Sequence, residues 1–189
     1  MGGYQILYFN RRHAALVLIC AKAMASAYLV WLLFIAAYDF RQRRVPNWLV
    51  LAGAFLALAA LATGMAPIEQ DWTAALLGAA TGFGFLLLFY ALRVMGAGDV
   101  KFAGALGLWV GLSALPPIWL VGSLLAGLHA ALWLALQRWP VLPRLSLALF
   151  GPSSSPEGQP APTRVRFIPY AAYLALAAAV WMVWGRQGS

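Results

Sequence analysis

Across 189 residues, 63% are hydrophobic and only 10% are charged, with a mean hydropathy of +0.80, against about 25% charged and about 45–50% apolar in soluble domains. So few polar groups cannot cover a globular surface, which excludes a soluble chain and makes lipid the main solvent. The net charge of +8 sits in short clusters between apolar runs, which argues against a nucleic-acid partner and suits loops beside anionic membrane lipids.

In chain order, residues 1–22 form a basic tail with Arg11 and Arg12. Lys22 interrupts the apolar run that follows, so the segment reads as retained and not as a removable signal peptide. Predicted spans are 23–40, 47–63, 72–92, 99–115, 117–136 and 167–184. Each is near the roughly 20 residues that a helix needs to cross hydrocarbon. All read as helices, because strand edges or loops facing lipid would leave backbone groups unpaired. The expected fold is therefore an all-α, polytopic transmembrane bundle of about six spans, with one domain over 1–189. Leu115-Pro116-Pro117 predicts the break between the fourth and fifth spans. The connection 137–166, rich in Pro, Ser and Gly, reads as an irregular loop.

Two pairs of glycines, Gly78/Gly82 and Gly107/Gly111, are spaced four apart. They predict close packing of the third and fourth spans, since small residues let helices approach where lipid supplies no drive for association. Alternate loops carry nine and four of the Lys and Arg residues. The side with nine, holding Arg41, Arg43, Arg44, Arg93 and Lys101, is predicted to be cytoplasmic. The basic tail is discordant with this assignment.

Of five acidic residues, Glu69, Asp71 and Glu157 lie in loops where water can solvate them. Asp39 and Asp99 differ. Asp39 ends the first span and Asp99 begins the fourth, so topology brings both to the cytoplasmic face. Carboxylates near hydrocarbon are costly and face protein or a wet cavity. Two that share a site cannot both ionise easily, so one keeps a proton while the other deprotonates water. Such a pair can hydrolyse a peptide with no metal or cofactor. With one cysteine, Cys20, and two separated histidines, His13 and His129, the chain shows no metal-site pattern. The competing reading pairs Asp39 with Arg41 or Arg43, and Asp99 with Lys101 or Arg93. Gly96 and Gly98, flanking Ala97, suit a loop that lets an extended peptide approach.

Asp39-Phe-Arg-Gln-Arg-Arg-Val-Pro-Asn47 and Gly96-Ala-Gly-Asp-Val-Lys101 resemble the two signature motifs of the type IV prepilin peptidases, membrane aspartyl proteases of the Gly-x-Gly-Asp class. Phe167-Ile-Pro-Tyr170 is similar to a further family feature. The resemblance implies an aspartic endopeptidase of the bacterial inner membrane that serves type IV pilus assembly and protein secretion. Its partners would be prepilins and membrane lipids, and it would cut leader peptides at the cytoplasmic face. Larger members carry paired Cys-x-x-Cys motifs and methylate the new N-terminus. This sequence, with one cysteine, resembles the short peptidase-only form of the tight-adherence (Flp-type) systems.

Asp39 and Asp99 are thus the expected catalytic pair. Gly96, Gly98, Lys101, Pro46, Asn47 and Tyr170 are expected to bind substrate or shape the site. Lys101 either tunes Asp99 or holds lipid phosphate. Pro46 and Asn47 shape the turn into the second span, Tyr170 bonds in the site or anchors at the interface, and His129 is a helix-contact residue. A proton- or cation-coupled transporter is the alternative function, but it predicts carboxylates near the midplane and not at span ends. A secretion scaffold leaves the glycine motif unexplained. Presenilin-like enzymes share Gly-x-Gly-Asp but differ in companion motif and size.

Overall fold

The structure, a computed structural model, describes residues 3–68, 70–138 and 169–184, with side chains over 18–68, 70–135 and 169–184. Described residues form helices only: α1 (Gly3–Gln42), α2 (Asn47–Ala62), α3 (Trp72–Ala91), α4 (Ala97–Arg138) and α5 (Tyr170–Trp184). Most of the expected 137–166 loop and the residues Phe167 and Ile168 lie outside the described residues. Three stretches are long and apolar enough to cross a membrane: Leu18–Gln42, Trp72–Ala91 and Ala97–Ala135. Large side chains such as Leu33, Phe55, Leu88 and Leu128 stand on the outside, where lipid and not water is the compatible solvent. The protein is a membrane protein.

Residues 3–22 do not form an element of their own, because α1 is helical from Gly3. Its 40 residues extend about 60 Å, twice the roughly 30 Å hydrocarbon core.

α4 is not one straight rod. Its backbone leaves helical geometry at Gly111 (φ 70°, ψ −179°), a left-handed conformation that glycine adopts without strain. Asp99 and Ser123 both bond the first turn of α5, yet an unbroken helix would set them about 36 Å apart. α4 therefore doubles back at Gly111, and its two parts supply two of the six apolar segments in the bundle. The break falls before the Pro pair that was expected to mark it, and Pro116 and Pro117 lie inside the returning helix. Gln70 explains the position. Its Nε2 donates to the carbonyls of Leu108 at 2.8 Å and Trp109 at 3.0 Å, capping oxygens that end the outgoing helix.

α3 packs on the outgoing part of α4 through the spaced glycines. A Cβ on Gly78 would lie 2.6 Å from the Gly107 carbonyl oxygen, and one on Gly82 would lie 2.5 Å from that of Ala103. Backbone meets backbone here, as the spacing predicted. Elsewhere the core is aromatic. Trp109 lies 4.9 Å from Tyr28 and 6.2 Å from Trp31, and Phe102 lies 5.4 Å from Trp31, centroid to centroid. The two indoles donate to α2, Trp31 to the Leu49 carbonyl at 2.8 Å and Trp109 to that of Gly53 at 3.0 Å. Thus α1, α2 and α4 are locked at one depth.

Helix ends differ between the two faces. α2 ends on Gly64 (φ 66°), with Met65 N–H donating to Ala60 and Gly64 N–H to Leu61, an αL stop. α3 ends with the same bond pattern, Val94 to Phe89 and Arg93 to Tyr90, but Arg93 (φ 60°) occupies the left-handed position. Arg43 (φ 51°) does likewise after α1. A non-glycine residue there costs roughly 1–2 kcal/mol. A cation at a helix C-terminus offsets part of that.

Candidate active site

Asp39 lies in the last turn of α1, and Asp99 lies in the first turn of α4. Asp39 is 3% exposed, the one buried charged side chain among the described residues. A bare carboxylate at that depth would be strongly disfavoured. Its compensation comes from α5, whose first N–H groups have no acceptor within their own helix. The Ala172 N–H donates to Asp39 Oδ2 at 2.9 Å, and the Ala171 N–H donates to Asp99 Oδ1 at 3.1 Å. Two successive amides of one helix start thus hold one carboxylate each, and the positive end of the α5 dipole faces both. The charge of Asp39 acts on Asp99, and Arg43 acts on Asp39.

The motif residues close the site from the sides. Asp99 N–H donates to the Gly96 carbonyl at 3.2 Å. A Cβ on Gly96 would stand 3.4 Å from Asp99 Oδ2, and one on Gly98 would stand 3.4 Å from the backbone nitrogen of Val45. Gly98 therefore lets the start of α4 approach the segment that follows Asp39. Pro46 is the N-cap of α2, in extended conformation. Lys101 Nζ donates to Asn47 Oδ1 at 3.0 Å. Its described bond thus links the second motif to the first, a placement that neither sequence-based expectation for Lys101 contained. The hydroxyls of Tyr170 and Ser123 share a hydrogen bond of 3.1 Å, which ties α5 to the returning part of α4. His129 is the helix-contact residue expected of it, with Nδ1 2.6 Å from the Tyr173 hydroxyl.

A groove of about 480 Å³ opens beside this loop, lined by Tyr90, Ala91, Arg93, Met95 and Gly96. Among the described residues, no cluster of three His, Cys, Asp or Glu side chains could hold a metal ion. Sequence reasoning missed the amides of Ala171 and Ala172, whose side chains carry no chemistry. The available signal was Pro169 before Tyr170, a helix-start pattern that predicts free N–H groups in the next turn.

A sequence model of the type IV leader peptidase family matches residues 26–142, which include both carboxylates. The chain is 33% identical over 140 residues to a prepilin leader peptidase/N-methyltransferase of Dickeya chrysanthemi, covering 69% of this chain and 47% of that protein. It is 32% identical over 111 residues to the protein of the same name from Xanthomonas campestris pv. campestris, covering 55% and 38%. With that of Bacillus subtilis it shares 30% over 109 residues, covering 57% and 43%. The chain thus spans less than half the length of these relatives. No solved structure matches it.

Proposed function

We propose, from the premise that this chain belongs to the type IV leader peptidase family, that it is an aspartic endopeptidase cutting leader peptides from prepilins. The observation that carries the reading is the pair of carboxylates held side by side on successive amides of α5. Asp39 and Asp99 are the catalytic pair, sharing one proton. The ionised member takes a proton from water as the water oxygen bonds to the scissile carbonyl carbon. The protonated member gives its proton to the developing oxyanion. Collapse of the tetrahedral species breaks the C–N bond, and a proton passes to the leaving amine. The family model and the relatives' names support the substrate class.

In this reading the chain is a multi-pass protein of the bacterial inner membrane, with the site at the cytoplasmic face. The support is the nine Lys and Arg in the loops on that side. The groove beside Gly96 would receive the substrate backbone, while Gly98, Pro46, Asn47, Lys101 and Tyr170 shape the walls. The placement of both carboxylates at helix ends speaks against the transporter alternative. The decisive experiment is cleavage of a prepilin in lipid nanodiscs by wild type, Asp39→Asn and Asp99→Asn. Each variant keeps volume and hydrogen bonding but loses proton exchange, so each should lose about 10²–10⁴-fold or more in rate. Retained activity in either variant removes that residue from the pair.

A further inference from the structure

α5 meets the two carboxylates through backbone groups alone, so something else must set its rotation. Successive residues are about 100° apart around a helix. The N–H groups of Ala171 and Ala172 reach Asp99 and Asp39, respectively, only at one rotation of α5 about its axis. The two alanines are fully buried but carry no polar side-chain atom to fix that angle. Their neighbours do. Tyr170 and Tyr173, three apart, lie on one side of the helix, and both grip the returning part of α4. Tyr170 bonds Ser123 at 3.1 Å, and Tyr173 bonds His129 Nδ1 at 2.6 Å. The second contact is the shorter. Tyr173 also meets Phe40, the residue after Asp39, edge-on with centroids 5.6 Å apart. A histidine inside a membrane helix is costly to place there without a role, and the hydrolysis above makes no use of His129.

We infer that the Tyr173–His129 hydrogen bond sets the rotation of α5 that aims the Ala171 and Ala172 amides at Asp99 and Asp39. Both side chains are thereby positioning residues for the proposed hydrolysis, on which this inference rests. A misplacement of about 1 Å can cost around 100-fold in rate, so a loosened α5 reads out in the chemical step and not in substrate affinity.

The test has two arms, both on the full chain in nanodiscs. Tyr173→Phe removes one hydroxyl and keeps the ring against Phe40. His129→Leu removes the imidazole, while His129→Asn keeps a hydrogen-bonding atom where Nδ1 stood. The first arm measures cleavage of a prepilin. Tyr173→Phe and His129→Leu should each lower kcat about 10- to 100-fold with KM little changed. The double variant should be no worse than the poorer single one, because both remove the same bond, and His129→Asn should recover most of the rate. The second arm needs no activity. The sequence holds two Tyr-Ala steps, Tyr90-Ala91 and Tyr170-Ala171, so carbonyl-¹³C tyrosine with ¹⁵N-alanine selects two amides by NMR. The Ala171 signal should move in Asp99→Asn, Tyr173→Phe and His129→Leu, stay in His129→Asn, and leave Ala91 as the control. An Ala171 signal unmoved by Tyr173→Phe, additive losses in the double variant, or His129→Asn as impaired as His129→Leu would each overturn the inference. A wild type that fails to cleave, with the Ala171 shifts as stated, overturns the peptidase reading and leaves the brace standing.

Discussion

Lys101 donates an ammonium hydrogen bond to the side-chain oxygen of Asn47 at 3.0 Å, joining the residue two after Asp99 to the first residue of α2. The bond ties the segments after the two carboxylates to each other and leaves the carboxylates to α5. Lys101→Met should therefore lower kcat/KM by roughly fivefold, the loss of about 1 kcal/mol expected for one such bond. It should leave the pH optimum in place, because the ammonium is held on Asn47 and the charges that act on the carboxylates are those of Asp39 on Asp99 and Arg43 on Asp39. A pH–rate profile displaced by a full unit would instead put the lysine on Asp99.

The shared face of the two carboxylates is open to a direct topological check. With Cys20 replaced by Ser, single cysteines at Gln42 and Ala97 should react with an impermeant thiol reagent from one side of the membrane. A cysteine at Ala66 should react from the other. Labelling of Gln42 and Ala97 from opposite faces would put roughly 30 Å of hydrocarbon between the carboxylates and end the case for a shared site.

Backbone contact between α3 and α4 predicts a steep response to one methyl group. Gly78→Ala must displace the Gly107 carbonyl, which its Cβ would approach to 2.6 Å. Overpacking of this kind costs about 1–3 kcal/mol. Tm in detergent should drop by about 2–10 °C. Gly84→Ala, with nothing within 4 Å of the added carbon, should match or exceed wild type. Equal behaviour of the two variants would contradict the close approach.

Asp71 caps α3 at the opposite end from the carboxylate pair. Its side chain accepts from the Ala74 N–H at 2.8 Å and from the Thr73 hydroxyl. The hydroxyl first, and the amide second, hold its carboxyl below the usual carboxylate range. The folded value lies below the unfolded one, so its contribution to stability is present above the unfolded value of about 3.9. That contribution fades as pH falls through the folded value. Asp71→Ala should lower Tm at pH 7, and the gap to wild type should narrow as pH falls below about 4. A gap that is constant over that range would mean that the carboxylate charge contributes nothing to the cap.

The membrane character, the helical class and the convergence of Asp39 and Asp99 were legible in the sequence. Each depends on local quantities: apolar run length, backbone satisfaction in lipid, and the parity of helix reversals. The Gly78 and Gly107 contact was legible for the same reason, since four-residue spacing on a helix is a local geometric fact. Position along the chain was less well determined. The proline pair drew the predicted break to Leu115–Pro117, while the chain turns at Gly111, where Gln70 caps the freed carbonyls from 38 residues away. No local pattern encodes that partner.

The arrangement around the carboxylates was decided by tertiary structure alone. Asp39 and Ala172 are 133 residues apart in the chain, and the group that alanine contributes is an amide that every non-proline residue possesses. Sequence identifies residues by side chains and, even where Pro169 marks a helix start with free amides, is silent about where those amides point. That depends on how α5 enters between α1 and α4, and on the rotation at which it stops. The same holds for Lys101, Tyr173 and His129: their chemistry can be read from their names, but their partners come only from the packing of separate helices.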